Sequence, residues 1–158
     1  MYGWLCSLNP RRRALIDDEP DMVGELFGLR RLQPIPGAFE LGKAWDPIRR
    51  LIGNEGVLSD AVTGESGARV GEDLGYGPAR LLEADRVKEI AAALVALPDA
   101  LVASRWAEHG PMGAVDEVDA DELDEDAECK ALVSLVQRLR AFYVEAAAED
   151  RAVVVVIA

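Results

Sequence analysis

Two short stretches of the chain carry side chains that could bind a ligand. The first, "AWDPIRR", holds an indole, a carboxylate and two guanidinium groups, and the second, "GYGPAR", holds a phenol and a guanidinium. Guanidinium groups bind carboxylate and phosphate through parallel hydrogen bonds, and aromatic rings stack on planar groups. The two stretches together predict a small-ligand site or an enzyme cleft between them, formed by Trp45, Asp46, Arg49, Tyr76 and Arg80.

Each of these side chains also has a structural interpretation, which the sequence favours. Apolar residues recur at helical spacing through the first stretch, at Leu41, Trp45, Ile48 and Ile52, so core packing competes with ligand stacking. Asp46 directly precedes Pro47, an arrangement that suits the cap and first turn of a helix. Arg49 and Arg80 could instead make surface ion pairs with the many carboxylates of the chain.

The acidic run "DEVDADELDEDAE", residues 116–128, lacks the pattern of a calcium loop. An EF-hand needs oxygen ligands at alternating positions around a central glycine, and no register of this run supplies both. Carboxylates at the start of a long helix are favoured by its dipole, so a solvated helix start is expected. An acidic docking face for a basic partner is the alternative, and no metal site is predicted.

The remaining residues with reactive side chains indicate no catalytic centre or cofactor. The glycines of "GESGARVGEDLGYGP" are not followed by the Lys-Ser/Thr of a P-loop, and Arg80 stands where a dinucleotide fingerprint needs its third glycine. His109 is the only histidine, so triad and two-histidine metal schemes all depend on one residue in a Gly/Pro loop. Cys6 lies in an apolar run and is expected to be a buried small hydrophobe.

Length and charge limit the possible classes of protein. A chain of 158 residues, 50% of them hydrophobic, predicts one domain over residues 1–158. With 17 basic and 29 acidic residues the net charge is −12, which disfavours nucleic acid and membrane surfaces and favours a basic protein partner. The sequence predicts a cytoplasmic protein on three grounds. The two cysteines lack the spacing of a disulfide framework or a metal site, the N-terminal residues lack the pattern of a secretion signal, and no apolar run is long enough to span a membrane.

The N-terminal half predicts the elements that would position the first stretch. "YGWLCSL" reads as a buried strand, and residues 10–27 as two short helices divided at Pro20, with a buried side at Leu15, Met22, Val23 and Leu26. "RRLQPIPGAFEL" predicts a loop, after which Asp46 caps the helix that contains Trp45. Ser59 then caps a further short helix, which Gly64 closes.

The C-terminal half predicts the rest of the fold. Residues 64–77 read as a glycine-rich loop, "GPARLL" as a strand, and "EADRVKEIAAALVAL" as a helix that ends at Pro98, with Asp99 capping the next. Residues 121–149 form the longest helix, and "RAVVVVIA" a fully covered central strand. The predicted fold is α+β: a small mixed sheet that includes the N- and C-terminal strands, packed by several helices, the longest near the C-terminus.

Four segments of the chain resemble the YfbM-like family of uncharacterised bacterial proteins, a domain of unknown function. They are "KAWDPIRRLIG", "LSDAVTG", "GYGPARLLEADRVKEIAAAL" and "LRAFYVEAAAEDRAVVVVIA", in the order and at the spacing of the family. The resemblance implies a single α+β domain with part of its sheet formed by the chain termini. It brings no established activity, cofactor or catalytic residue. Family members often carry histidines where this chain has Asp46 and Arg49, so a chemistry based on them could not operate here in the same way.

Three hypotheses of function follow. The first is a small interaction protein without catalysis, of the adaptor type or an immunity type that neutralises a basic toxin, because catalytic motifs are missing and the charge is −12. The second is a small-ligand binder or enzyme with a cleft between the Trp45 helix and the turn at residues 76–80. The third, a scaffold for something larger, cannot be separated from the first by sequence.

Overall fold

One antiparallel sheet organises the chain, with helices on both faces. A computed structural model describes residues 1–27, 37–110 and 125–158. Its strands are β1 (Gly3–Leu8), β2 (Ala38–Gly42), β3 (Ala68–Asp73), β4 (Pro78–Leu82) and β5 (Ala152–Ile157). Its helices are α1 (Pro10–Asp18), a short 3-10 helix (Pro20–Met22), α2 (Val23–Leu26), α3 (Trp45–Ile52), α4 (Gly56–Thr63), α5 (Ala84–Ala96), α6 (Asp99–His109) and α7 (Glu125–Ala148). The predicted α+β class is confirmed.

The described strands lie in the order β2-β1-β5-β4-β3, with β5 at the centre. Residues 152–156 are all buried, because β5 is covered on both faces, as its continuous apolar run predicted. Every pairing in this part of the chain is antiparallel, so the prediction of a mixed sheet is wrong. Apolar spacing shows which residues form strands, whereas strand direction depends on where each connection enters the sheet.

The two faces of the sheet support separate apolar cores. Alternate residues of β5 point to opposite sides, so Val153 and Val155 join the core beneath α3 to α7, and Val154 and Val156 join the core beneath α1 and α2. Tyr143 of α7 is fully buried in the larger core, where its hydroxyl donates a hydrogen bond of 3.0 Å to the carbonyl oxygen of Ala61. Burial raises the pKa of this phenol above its usual value, so it remains protonated.

The N-terminal half departs from its predictions at two places. The break at Pro20 is confirmed, but Leu15 is 37% exposed and Ile16 is the buried residue of α1. Residues 38–42 form β2 instead of continuing the predicted loop, because they pair with β1 despite the nearby prolines. Leu41 is therefore a buried strand residue, not part of the Trp45 helix, and residues 30–36 of the predicted loop lie outside the described part.

The predictions of two helix caps and one loop were also wrong. Ser59 lies inside α4, where it is 4% exposed, and the helix begins after Glu55 without a side-chain cap. Asp99 is the first residue of α6, following Pro98. The loop predicted at residues 64–77 contains β3, whose charged residues resemble a loop because it is an edge strand with most side chains in solvent. Gly64 does end α4, in the left-handed conformation.

Candidate functional site

The five side chains that the sequence singled out line one cavity of about 340 Å³. This cavity, named here the 45–80 cavity, lies between α3, the C-terminal end of α4 and the turn that joins β3 to β4. Its floor includes the central strand, through Val155 and Ile157. The remaining lining residues are Asn54, Ser59, Thr63, Glu65 and Pro78. The structure thus brings together both stretches from which the ligand-site prediction began.

Helix α3 holds one wall of the cavity in place through its apolar side. Ile48, Leu51 and Ile52 are fully buried, which leaves Trp45, Asp46 and Arg49 on the partly exposed side. Trp45 packs at the edge of the core and also lines the cavity, so the two interpretations of this residue are compatible. Gly3 of β1 makes room for it: a Cβ atom at Gly3 would lie 2.7 Å from the Cβ of Trp45.

Two aromatic rings form the mouth of the cavity. The ring centroids of Trp45 and Tyr76 are 5.9 Å apart at an interplanar angle of 52°, and Tyr76 is 61% exposed. The turn that carries Tyr76 is held by Asp73, whose carboxylate accepts hydrogen bonds from the backbone N–H groups of Gly75 and Gly77, at 2.8 and 3.0 Å. Asp73 was missed in the sequence, although an aspartate two residues before a glycine is a signal of such a turn.

Asp46 is an ion-pair partner and not the helix cap that the sequence predicted. Ala44 occupies the cap position, and the Asp46 carboxylate accepts hydrogen bonds from Arg49 at 2.7 Å and Arg50 at 2.6 Å. Burial alone would raise the pKa of this carboxyl, but the Arg49 hydrogen bond and the Arg50 charge outweigh it, so the pKa lies below its usual value. Asp46 and Arg49 both line the cavity, so this ion pair adds no net charge to it, and Arg50 lies outside the lining.

Arg80 does not make the surface ion pair that the sequence favoured. Within the described residues it has neither an ion pair nor a hydrogen bond from its side chain, although it is partly buried. It stands on β4 between Val155 of β5 and Arg69 of β3. Gly64, which has no side chain, lies against Arg80: a Cβ atom at Gly64 would be 2.9 Å from the Cβ of Arg80.

A buried ion pair supports the segment beneath the cavity. Asp60 of α4 is 3% exposed and accepts hydrogen bonds from the Ser66 backbone N–H at 2.9 Å and from Arg86 of α5 at 2.5 and 2.9 Å. Burial would raise the pKa of Asp60, but the bonds from Ser66 and Arg86 outweigh it and the net shift is downward. The sequence reasoning missed Asp60, because an aspartate within a short helix gives no signal of a partner 26 residues away.

The other candidate residues lie apart from the cavity. His109 is exposed and ends α6 instead of lying in a loop, and Cys6 is fully buried as predicted, with a thiol pKa raised by burial. Most of the acidic run, residues 116–124, lies outside the described part; Glu128, within α7, is 3% exposed and contradicts a fully solvated helix start. Among the described residues there is no metal-binding cluster, and no helix is long and apolar enough to cross a membrane.

Fold and cavity together define a class: a small α+β domain whose first and last strands pair side by side, with one polar cavity between two short helices and a hairpin turn. The same fold occurs in the crystal structure of YfbM from Escherichia coli, a protein of unknown function, with a TM-score of 0.62 over 100% of both chains at 16% identity. This chain belongs to the family described as Domain of unknown function (DUF1877), whose model matches residues 1–156. A comparison with curated proteins gave no match.

Proposed function

We propose that this protein binds a small organic molecule in the 45–80 cavity. The observation that supports the proposal most is the state of Arg80, a partly buried arginine that lines the cavity without a carboxylate partner among the described residues. Burying part of a charge without a partner costs free energy, and this chain has 29 acidic residues that could have supplied one. An unpaired cation in a cavity is therefore a sign of a group that binds there.

The chemistry of the lining favours binding over catalysis. None of the described lining residues is a histidine or a cysteine, and the Thr63 hydroxyl donates a hydrogen bond of 3.1 Å to the carbonyl oxygen of Ser59. Asp46, whose pKa is lowered, is paired with two arginines and is a poor proton acceptor. The lining instead offers aromatic rings for stacking and polar groups for orientation, as ligand sites commonly do.

NMR titration with small molecules of four classes, namely carboxylates, phosphate esters, amines and neutral polyols, tests the proposal. We expect at least one class to shift the Trp45 indole signal and the amide signals of the turn at residues 75–77 saturably. The Tyr76→Ala variant should weaken this binding about tenfold, because a stacked ring contributes roughly 1–3 kcal/mol.

The matched control for this titration is Val95→Ala. Val95 is 61% exposed, as is Tyr76, but it lies on α5 and does not line the cavity. Its substitution should leave the affinity unchanged. The proposal is wrong if no class of compound shifts the cavity signals, or if Tyr76→Ala binds the same compound as tightly as Val95→Ala does.

A second candidate function rests on the net charge of −12. We infer, as the second candidate, that the protein acts in the cytoplasm as a non-catalytic interaction protein for a basic partner, because opposite charge speeds and stabilises association. Affinity purification from the native host, followed by binding of the purified components, tests this. A basic protein should bind directly, with an affinity that falls steeply as salt increases; a partner that is acidic, or binding that salt does not change, would contradict it.

A further inference from the structure

Two arginines stand directly opposite each other on neighbouring strands beside the cavity. Arg69 of β3 and Arg80 of β4 are register partners, so their side chains leave the same face of the sheet. Directly opposite residues of an antiparallel pair have Cβ atoms about 5 Å apart, and residues of like charge at such positions destabilise the pair. This face is the one that carries Val155 and the wall of the 45–80 cavity.

Neither arginine is neutralised within the described chain. Arg69 is exposed and, like Arg80, makes no ion pair or side-chain hydrogen bond there. Glu65 lines the same cavity but does not pair with Arg80, and Asp46 already binds two other arginines. A protein with a net charge of −12 thus keeps a local cluster of unpaired positive charge at one cavity.

We infer that the ligand of the 45–80 cavity is a small anion, a phosphate monoester or a dicarboxylate, whose charged group is held by Arg80 in the wall and Arg69 at the rim. This inference rests on the proposed function and specifies the class of ligand. Two guanidinium groups side by side match a group that carries two negative charges, because each can donate parallel hydrogen bonds to its oxygen atoms. A bound anion would also relieve the repulsion between Arg69 and Arg80.

Size and overall charge restrict the anion further. A volume of about 340 Å³ is near the lower end of ligand pockets, so the site suits a small molecule with one planar or apolar group beside its charge. The rings of Trp45 and Tyr76 at the mouth would contact that group. A long polyanion would be repelled by the rest of this acidic surface, whereas a small anion needs only short contacts with Arg80 and Arg69.

Phenyl phosphate is the probe for this inference, with benzyl alcohol as its neutral analogue and benzylamine as its cationic one. NMR titration should show saturable shifts of the Trp45 indole signal with phenyl phosphate and much weaker effects of the other two. Arg80→Gln should weaken phenyl phosphate binding about 10- to 100-fold, the usual effect of losing a charged hydrogen bond, and Arg69→Gln about three- to tenfold because Arg69 is exposed.

Control variants separate the local effect from net charge. Arg11→Gln removes the same charge from an exposed position on α1 and should change the affinity less than twofold. Glu65→Gln removes a nearby negative charge and should tighten binding. We also expect the Tm of Arg69→Gln to be no lower than that of the parent protein, since the substitution removes a repulsion.

The outcomes separate the inference from the proposed function. If benzyl alcohol or benzylamine binds the cavity as well as phenyl phosphate, or if Arg80→Gln and Arg11→Gln bind equally, the anion inference is wrong and the cavity remains a ligand site. If no compound of any class shifts the cavity signals, the proposed function fails as well. A Tm of Arg69→Gln well below the parent would assign that arginine a structural role and also contradict the inference.

Discussion

Replacing Asp60 with alanine is expected to lower the free energy of unfolding by about 3 kcal/mol, the lower end of the range for breaking a buried ion pair. Asp60 is 3% exposed, and its removal leaves the Arg86 guanidinium and the Ser66 backbone N–H without an acceptor. Arg86 keeps a second partner, Glu89 at 2.5 Å, so part of the loss is recovered. Urea denaturation at pH 7 measures the change.

The control variant for Asp60→Ala is Asp85→Ala. Asp85 is the same residue type, but its side chain is 99% exposed and its ion pair with Lys88 is long, at 3.7 Å. Exposed pairs of this kind contribute at most about 1 kcal/mol and often nothing, so a change below about 0.5 kcal/mol is expected. Equal effects of the two substitutions would show that the Asp60 pair does not hold α4 to α5.

The Asp60 pair should also make stability depend on pH in the acid range. The pKa of Asp60 is lower in the folded protein than in the unfolded chain, so the unfolded chain binds more protons between the two values. The stabilisation is complete above about pH 5 and is lost as the pH falls through about 4 and below. The stability difference between the parent and Asp60→Asn should therefore shrink over this interval; a constant difference would contradict the lowered pKa.

The second large effect is expected at Gly64, where alanine should cost about 2–4 kcal/mol of stability. Its φ of +61° is strained for any residue with a side chain, and the added Cβ would lie 2.9 Å from the Cβ of Arg80 and 3.1 Å from that of Val155. These contacts involve the first atoms of two side chains fixed in the sheet, which cannot move aside without moving strands. The same crowding should displace Arg80 and weaken ligand binding.

Gly56→Ala is the matched control for Gly64→Ala, measured by the same urea denaturation. Gly56 also has a positive φ, of +71°, and it is the first residue of α4, the helix that Gly64 ends, but no atom would lie within 4 Å of its added Cβ. Its substitution should therefore cost only the backbone strain, about 1–2 kcal/mol. If both substitutions cost the same, the close approach of Gly64 to the sheet contributes nothing.

Local patterns in the sequence were sufficient to predict the strands and helices in which buried residues are continuous or recur at a regular spacing. The apolar run at residues 152–157 predicted a central strand, and "EADRVKEIAAALVAL" predicted the helix that is α5; both are confirmed. These elements are decided by apolar burial, which residue type reports directly. Edge strands are decided by pairing, so β2 and β3, with their glycines and charged residues, looked like loops.

The candidate site was predictable as a set of residues but not as an arrangement. Side-chain chemistry named Trp45, Tyr76 and Arg80, and the fold places them around one cavity. The partners of each charge could not be read from the sequence, because they depend on long-range geometry. Asp46 was expected to cap its helix and instead binds two arginines, while Arg80 was expected to have a partner and has none in the described chain.

The central position of β5 has a consequence for when the protein can fold. Strand β5 follows every other element in the chain, yet it lies between β1 and β4, which do not pair with each other. During synthesis the pair β1 and β2 and the pair β3 and β4 leave the ribosome first, and β5, the strand that joins the two pairs, leaves after them. Val155 and Ile157 also line the cavity. Neither the complete sheet nor the cavity can therefore form until residues 152–157 have left the exit tunnel, so assembly is a late event dominated by contacts distant in sequence.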